Sequence, residues 1–222
     1  MGKEESLKTK LFQSMISYVR ENYKDTIDKA YEYLWEDSYP EDVLRGTALD
    51  IAFVNFEDWL IFDFKVNDDK ETFIDLYTKN NKELKDDEMT LLSKIKEAVL
   101  SLYEVISIST GDEILLNDLL MGGEFTLSNE TLARGLKKGD IFATRLLTLD
   151  GKTVMSNCVY PFSTGQKKMI LTYIDKEFNR YKKNENPKGT TKSFLKDYGD
   201  LFNIIWMDYI LHPPQKKQYG MT

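Results

Sequence analysis

Apolar residues recur every three or four positions before Tyr103 and again after Tyr160. This period places them along one face of α-helices. The first predicted helix begins after Ser6 as its N-cap, and the second begins at about residue 25. Three further helices are predicted over about 40–63, over 72–80 and over about 164–182. Another begins at residue 86, and the last begins at about residue 190. The late part of the third helix, residues 53–64, is apolar almost all round. We therefore expect that helix to lie at the centre of the fold.

Between Tyr103 and Tyr160 the pattern changes to short stretches in which apolar and polar residues alternate, as in half-buried strands. Strands are predicted over residues 103–110, 113–117, 124–128, 141–148 and 152–160, with one or two helical turns over 130–138. Asp150-Gly151 is a strong signal for a two-residue hairpin. These elements predict an inserted small antiparallel β-barrel or curved sheet, of SH3-like or OB-like scale, and an α+β fold class that is mainly helical.

The change of period also predicts how the chain is organised. We expect a helical region over residues 1–102 and a small β module over 103–160. C-terminal helices over 161–222 should then pack back on the helical region. The polar segment from Gln215 to the end is expected to fray.

Composition narrows the class of protein. A hydrophobic content of 41% predicts a folded chain, and a net charge of −7 weighs against non-specific nucleic-acid binding. A lone cysteine, Cys158, cannot form an intramolecular disulfide or a cysteine-based zinc site, and a lone histidine, His212, argues against a metal site or a catalytic triad. No stretch is apolar for long enough to span a membrane, and the expected location is the cytoplasm. No cofactor and no catalytic or metal-binding residue is predicted.

Carboxylates on the third predicted helix are the candidates for acid–base chemistry. Glu57, Asp58 and Asp63 lie among aromatic residues, where burial could raise the pKa of a carboxyl. An enzyme would need these acids to meet a second acid, such as Asp118 or Asp140, across the junction between helix and β module. The alternative is that the three acids face solvent or cap backbone groups.

Basic and aromatic residues suggest a possible binding surface on the β module and the helix after it. A solvated helix face is the alternative interpretation, because acids are interleaved with the basic residues. The candidate residues are Arg134, Lys137, Lys138, Arg145, Lys168, Tyr173 and Arg180.

Four short phrases, at residues 53–63, 103–105, 118–124 and 139–145, carry a family resemblance. Together they resemble uncharacterised bacterial proteins, some of whose members end in a SEC-C zinc motif. This chain lacks the cysteines and histidines of that motif, so no metal function transfers. The resemblance implies a helical domain with an inserted β module and no assigned activity.

Two hypotheses about function follow from these observations. The preferred one is a non-enzymatic binding or adaptor protein with a small β-barrel interaction module. Its expected partner is a protein, with RNA or DNA as the less favoured alternative, and no membrane is expected to take part. The alternative is a carboxylate-dependent hydrolase or transferase with acids at the junction between helix and β module. On either hypothesis, the place to search for a site is where the β module meets the helices.

Overall fold

The computed structural model describes residues 2–36 and 38–212, which form ten α-helices and five β-strands. The helices are α1 (Lys3–Asn22), α2 (Lys24–Trp35), α3 (Pro40–Val43), α4 (Thr47–Phe62), α5 (Phe73–Asn80), α6 (Asp86–Glu97), α7 (Glu130–Gly135), α8 (Lys167–Asn184), α9 (Thr191–Asp197) and α10 (Leu201–Leu211). The strands are β1 (Leu100–Ile108), β2 (Glu113–Asp118), β3 (Glu124–Ser128), β4 (Ile141–Leu149) and β5 (Lys152–Phe162). A single 3-10 turn, Thr164–Gln166, leads into α8. The predicted polar tail lies outside the described residues.

Three predicted helix boundaries are wrong. The first helix begins at Lys3, ahead of the predicted N-cap Ser6. The long helix predicted over residues 40–63 is divided into α3 and α4, because Gly46 adopts a φ of 58° that helical residues do not have. The last predicted helix is likewise divided, with a break around Gly199 between α9 and α10.

The α+β class is confirmed, and all five strands fall within two or three residues of their predicted positions. They pair in the order β1-β2-β3-β5-β4, and β4 returns to β1, so the pairing closes on itself. The prediction of a purely antiparallel module is wrong, because β3 and β5 pair in parallel at Leu127 and Thr153. This parallel contact is a single residue pair, whereas β3 pairs with β2 over all five of its residues.

The hairpin between β4 and β5 turns at the predicted dipeptide. Asp150 has a φ of 50° and Gly151 a φ of 72°, the two positive values that a type I′ turn requires. This turn matches the twist of the flanking strands, so β4 and β5 pair from Leu149–Lys152 out to Ile141–Phe162.

Two hydrophobic clusters hold the molecule together. The larger one joins all three predicted regions, with Leu11, Leu147 and Phe194 among its buried members. The smaller one lies inside the sheet, around Tyr103 and Leu116. The division of the chain at residues 102 and 160 stays a prediction.

The helices cover only part of the outer surface of the sheet. Alternate residues of β4, at positions 141, 143, 147 and 149, belong to the larger cluster and face the helices. On β3, by contrast, Glu124, Thr126 and Ser128 are exposed. The strand surface therefore remains partly open to solvent.

Within residues 2–36 and 38–212, no helix is long and apolar enough to cross a membrane.

Candidate functional site

Three buried charged side chains meet where α4 packs against the sheet. Asp58 lies on the buried side of α4, and Asp63 is the residue that ends this helix. Arg145 lies on β4 between the helix-facing positions 143 and 147, so strand alternation directs it towards α4. Arg145 is 0% exposed, Asp58 2% and Asp63 5%. Charges this deeply buried need partners of opposite sign.

The guanidinium of Arg145 binds both carboxylates. Its Nη2 donates to Asp63 Oδ2 at 2.5 Å and to Asp58 Oδ1 at 3.1 Å, and its Nε donates to Asp58 Oδ1 at 3.3 Å. Its Nη1 donates to the carbonyl oxygen of Ala98 at 2.8 Å. The Phe62 ring lies under the guanidinium, with its centroid 5.1 Å from Cζ. These contacts fix Arg145 from several directions.

A lysine lies beyond each carboxylate. Lys196 of α9 places its Nζ 3.9 Å from Asp63 Oδ1. On the other side, Lys8 of α1 is close enough to Asp58 for the two charges to interact. We call these five side chains the ion cluster. Its charges alternate in sign from α1 to α9, so it links helices from both ends of the chain.

Burial shifts the pKa values of the ion cluster. It raises the pKa of the Asp58 carboxyl, while the Arg145 charge and a hydrogen bond from Ser156 oppose this rise. Burial also lowers the pKa of Lys8, and it lowers that of Lys196 to about 8. For Arg145, burial acts to lower the pKa, but the carboxylates of Asp63 and Asp58 outweigh it and raise the pKa above its ordinary value. The guanidinium therefore stays charged.

A bulge in β5 lies directly opposite Arg145. The register of the hairpin shifts between Thr144 and Leu146, so residues 156–158 of β5 face Arg145 alone. The Thr144 hydroxyl donates to the carbonyl oxygen of Cys158 at 2.7 Å and fixes one end of the bulge. Bulges of this kind redirect side chains and are common beside functional sites.

Asn55 of α4 binds the backbone of β5 just after the bulge. Its Nδ2 donates to the Val159 carbonyl oxygen at 2.9 Å, and its Oδ1 accepts from the Val159 N–H at 2.8 Å. This edge of β5 pairs with β3 only at Thr153. The fully buried Asn55 amide therefore replaces a strand neighbour and fixes α4 on the sheet.

A cavity of about 290 Å³ opens between α1, α4 and the bulge. We call it the junction cavity. The ion cluster contributes Asp58, Arg145 and Lys8 to its wall, and Lys8 Nζ donates to the carbonyl oxygen of Met155 at 3.2 Å. The remaining lining residues are Thr9, Phe12, Gln13, Met15, Phe62, Ile95, Leu147, Ser156 and Asn157.

Gly199 lies directly against Asp63. A Cβ atom at position 199 would lie 2.3 Å from the Asp63 Cβ, which is far closer than any real contact. The break between α9 and α10 thus brings a residue without a side chain to the ion cluster. Glycine at this position lets the chain approach Asp63 closely enough for Lys196 to reach it.

The acids that were expected to meet Asp58 and Asp63 have other partners. Asp118 accepts hydrogen bonds from the Ser101 hydroxyl at 2.7 Å and from backbone N–H groups of its own turn. Asp140 accepts from the N–H of Lys137 at 2.8 Å. Glu57 points outward and forms an ion pair with Arg20 at 2.6 Å. What Asp58 and Asp63 meet across the junction is a cation, Arg145, and not a further acid.

Arg145 does not belong to the predicted basic surface, because its strand position turns it inward. Of the other six predicted residues, Tyr173 is half-buried and five are exposed. Arg180 forms an ion pair with Glu177 on the same helix, at 3.4 Å. The exposed five are Arg134, Lys137, Lys138, Lys168 and Arg180. A binding role for these six residues stays a prediction.

Several site residues were not identified from the sequence. Asn55 stands out as an amide within an apolar helix, so pattern alone could have marked it. Arg145 was named, but as part of the basic surface, although its apolar-facing position on an alternating strand indicates burial. Lys8 and Lys196 carry no such signal, because each lies far along the chain from its partners. Among the residues that the structure describes, no three His, Cys, Asp or Glu side chains converge to hold a metal ion.

Comparison with known proteins gives one result. No curated protein and no solved structure matches the chain. A family model described as "Family of unknown function (DUF7986)" matches residues 7–199. This range contains every member of the ion cluster and the whole sheet. The chain therefore belongs to this family of unknown function, DUF7986.

Proposed function

We propose that this protein is a non-enzymatic binding protein that holds a small organic ligand in the junction cavity. The observation that carries the proposal is that fixed charges, a strand bulge and apolar side chains converge on one cavity of about 290 Å³. Ligand sites are concave, mostly apolar, and carry a few well-placed polar groups. The cavity lies where the β module meets the helices.

The lining indicates the kind of ligand. One part of the wall is apolar, with Phe12, Met15 and Leu147, and would hold a hydrocarbon or ring. Another part presents Lys8 and Asn157, which can donate hydrogen bonds. The volume is near the lower end of the usual range of about 300–1,000 Å³. A metabolite-sized molecule with an apolar body and a hydrogen-bond-accepting head fits this description.

The ion cluster would prepare the cavity for binding. Arg145 is fixed by two carboxylates, a carbonyl oxygen and an aromatic ring, so little side-chain freedom remains to be lost when a ligand enters. The only thiol nearby, Cys158, is buried, and burial raises its pKa well above the ordinary value. Such a thiol is a poor nucleophile, which favours binding over covalent chemistry.

One observation favours the enzyme hypothesis as a second candidate. Asp58 faces the junction cavity with a pKa raised by burial, as a general acid or base requires. However, the guanidinium of Arg145 already occupies one of its oxygens through two N–H groups. Asp58→Asn tests the enzyme candidate, because an enzyme that uses Asp58 as its acid or base would lose turnover.

A protein partner remains part of the proposal. The exposed outer side of β3 offers an uncovered strand surface, and the net charge of −7 favours a protein over nucleic acid. Of the six exposed or half-buried residues of the predicted surface, three lie within the β module and three on α8, the helix that follows it. The relation to bacterial proteins with a SEC-C motif stays a prediction.

Ligand-observed NMR with a library of small fragments tests the cavity proposal. Gln13 is exposed at the cavity wall, so Gln13→Trp should fill the opening without disturbing the core. Ser17→Trp is the matched control, since Ser17 is exposed one turn further along α1 and does not line the cavity. We expect fragments to bind the wild type and Ser17→Trp saturably and to lose affinity for Gln13→Trp. Equal binding by both variants would overturn the proposal.

A further inference from the structure

A second, open pocket lies between α5, α6, α9 and the loop that follows α4. Its volume is about 520 Å³. Phe62 lines both this pocket and the junction cavity, so the two are neighbours. We call it the lysine pocket, because its wall contains Lys65, Lys70, Lys96, Lys192 and Lys196.

The lysine pocket is positive on an otherwise acidic chain. Its five lysines face three carboxylates, those of Asp75, Glu97 and Asp197, which leaves an excess of two positive charges. The whole chain carries a net charge of −7. A concave site with an excess of one charge attracts counter-ions of the opposite sign.

The carboxylates hold two of the lysines at the wall. Lys96 forms an ion pair with Asp75, and Lys192 forms one with Glu97. Within residues 2–36 and 38–212, neither Lys65 nor Lys70 has a carboxylate within 4.0 Å. These two ammonium groups therefore contribute charge that the surrounding side chains leave uncompensated.

Lys196 is the deepest lysine of the pocket. Burial, followed by the charges of Arg145 and Lys65, lowers its pKa, while Asp63 and Asp58 oppose that change. Its Nζ lies 3.9 Å from Asp63 Oδ1, and that oxygen has no hydrogen-bond partner among the described residues. An anion entering the pocket would offset the repulsion between Lys196 and the neighbouring cations.

We propose that the lysine pocket binds a small phosphorylated molecule. Lysine binds phosphate as a point charge, and the excess of positive charge on the pocket wall suits the several oxygens of a phosphate better than the two of a carboxylate. Thr190 and Ser193 also line the pocket, but the Thr190 hydroxyl donates to that of Ser193, which in turn donates to the backbone at the N-cap of α9, so the lysines are the groups that would bind the phosphate. Because the site is separate from the junction cavity, it stands or falls independently of the proposed function.

Isothermal titration of the full chain with pyrophosphate tests the proposal. The double variant Lys65→Gln/Lys70→Gln removes the two unpaired lysines and no ion pair. The matched control is Lys82→Gln/Lys188→Gln, which changes the total charge equally at two exposed lysines outside the pocket. We expect the pocket variant to bind at least about tenfold more weakly, because two charge-assisted contacts are lost. The control should stay within about twofold of the wild type.

Two further measurements complete the test. ADP and glucose 6-phosphate, titrated separately, distinguish a nucleotide from a sugar phosphate as the source of the phosphate group. NMR of the lysine side chains in the wild type should show the signal of Lys196 shifting with pyrophosphate at the same midpoint as the titration. Absence of saturable pyrophosphate binding by the wild type, or equal weakening in the pocket and control variants, would overturn the proposal.

Discussion

At the junction between α4 and the sheet, two buried carboxylates share one guanidinium. Transferring a charged side chain from water into the protein interior costs free energy. This cost is offset only when charges of opposite sign and hydrogen bonds surround the side chain. Asp58 and Asp63 obtain both from Arg145, which is itself fully buried. The stability of the junction therefore depends on the three side chains as a set, and on no single ion pair.

Replacing Arg145 alone should be far more harmful than replacing the whole set. Arg145→Met leaves two buried carboxylates without their cation, and we expect the free energy of unfolding to fall by about 3–5 kcal/mol. The triple variant Asp58→Asn/Asp63→Asn/Arg145→Met removes all three charges and should recover most of that loss. Urea denaturation measures both. A triple variant as unstable as Arg145→Met would contradict this account of the cluster.

At the scale of elements, the strands could be predicted from their own turn residues and from the alternation of apolar and polar positions. Positive-φ residues such as Gly151 mark the turns, and alternation marks the strands between them, so each strand could be located from its own sequence. The helix breaks at Gly46 and Gly199 were missed, because apolar periodicity continues across both. Neither the ion cluster nor the junction cavity could be foreseen in full, since the cluster draws on four separate elements and the cavity on five, and these meet only through tertiary packing.

The break at Gly199 yields a prediction at this scale. Gly199→Ala would force the new Cβ against Asp63, so either the chain or the ion cluster must shift. We expect a loss of about 1–3 kcal/mol in the free energy of unfolding, as for other overpacked sites. Gly165→Ala is the control, because a Cβ there meets nothing within 4 Å. Thermal or urea unfolding checks the pair, and equal stability of the two variants would count against the close approach.

For the molecule as a whole, the ion cluster connects regions that are distant in sequence. It runs from Lys8 on α1 to Lys196 on α9, and the larger hydrophobic core spans the same helices. Stability of the whole chain should therefore respond to the protonation of groups inside the cluster. Lys196 is the member whose pKa, about 8, can be reached by ordinary buffers.

The expected pH dependence follows from the direction of that shift. The unfolded chain holds the Lys196 proton up to its ordinary pKa of 10.5, whereas the folded chain releases it near pH 8. Between these values the unfolded state binds more protons, so this group makes stability rise with pH. The gain in stability ends near pH 10, because tyrosines of the unfolded chain begin to ionise there. Tyr33 keeps its proton in the folded protein, where its pKa is raised to about 12, so the unfolded state then binds fewer protons than the folded state.

Urea midpoints between pH 7.5 and 9.5 measure this effect. The wild type should gain stability with pH relative to Lys196→Met, in which the titrating group is absent. Lys188→Met, at an exposed lysine, serves as the control and should follow the wild type. Parallel pH profiles for the wild type and Lys196→Met would show that Lys196 keeps its ordinary pKa in the folded protein.

Chemical-shift mapping shows whether the junction cavity is the ligand site. A ¹H–¹⁵N spectrum of the wild type is titrated with the fragment that binds most tightly. We expect the largest shifts on the cavity wall, at Thr9, Gln13, Ser156 and Asn157, and we expect them to saturate together. Shifts concentrated instead on the outer side of β3 or along α8, with the cavity wall unchanged, would contradict this assignment of the ligand site.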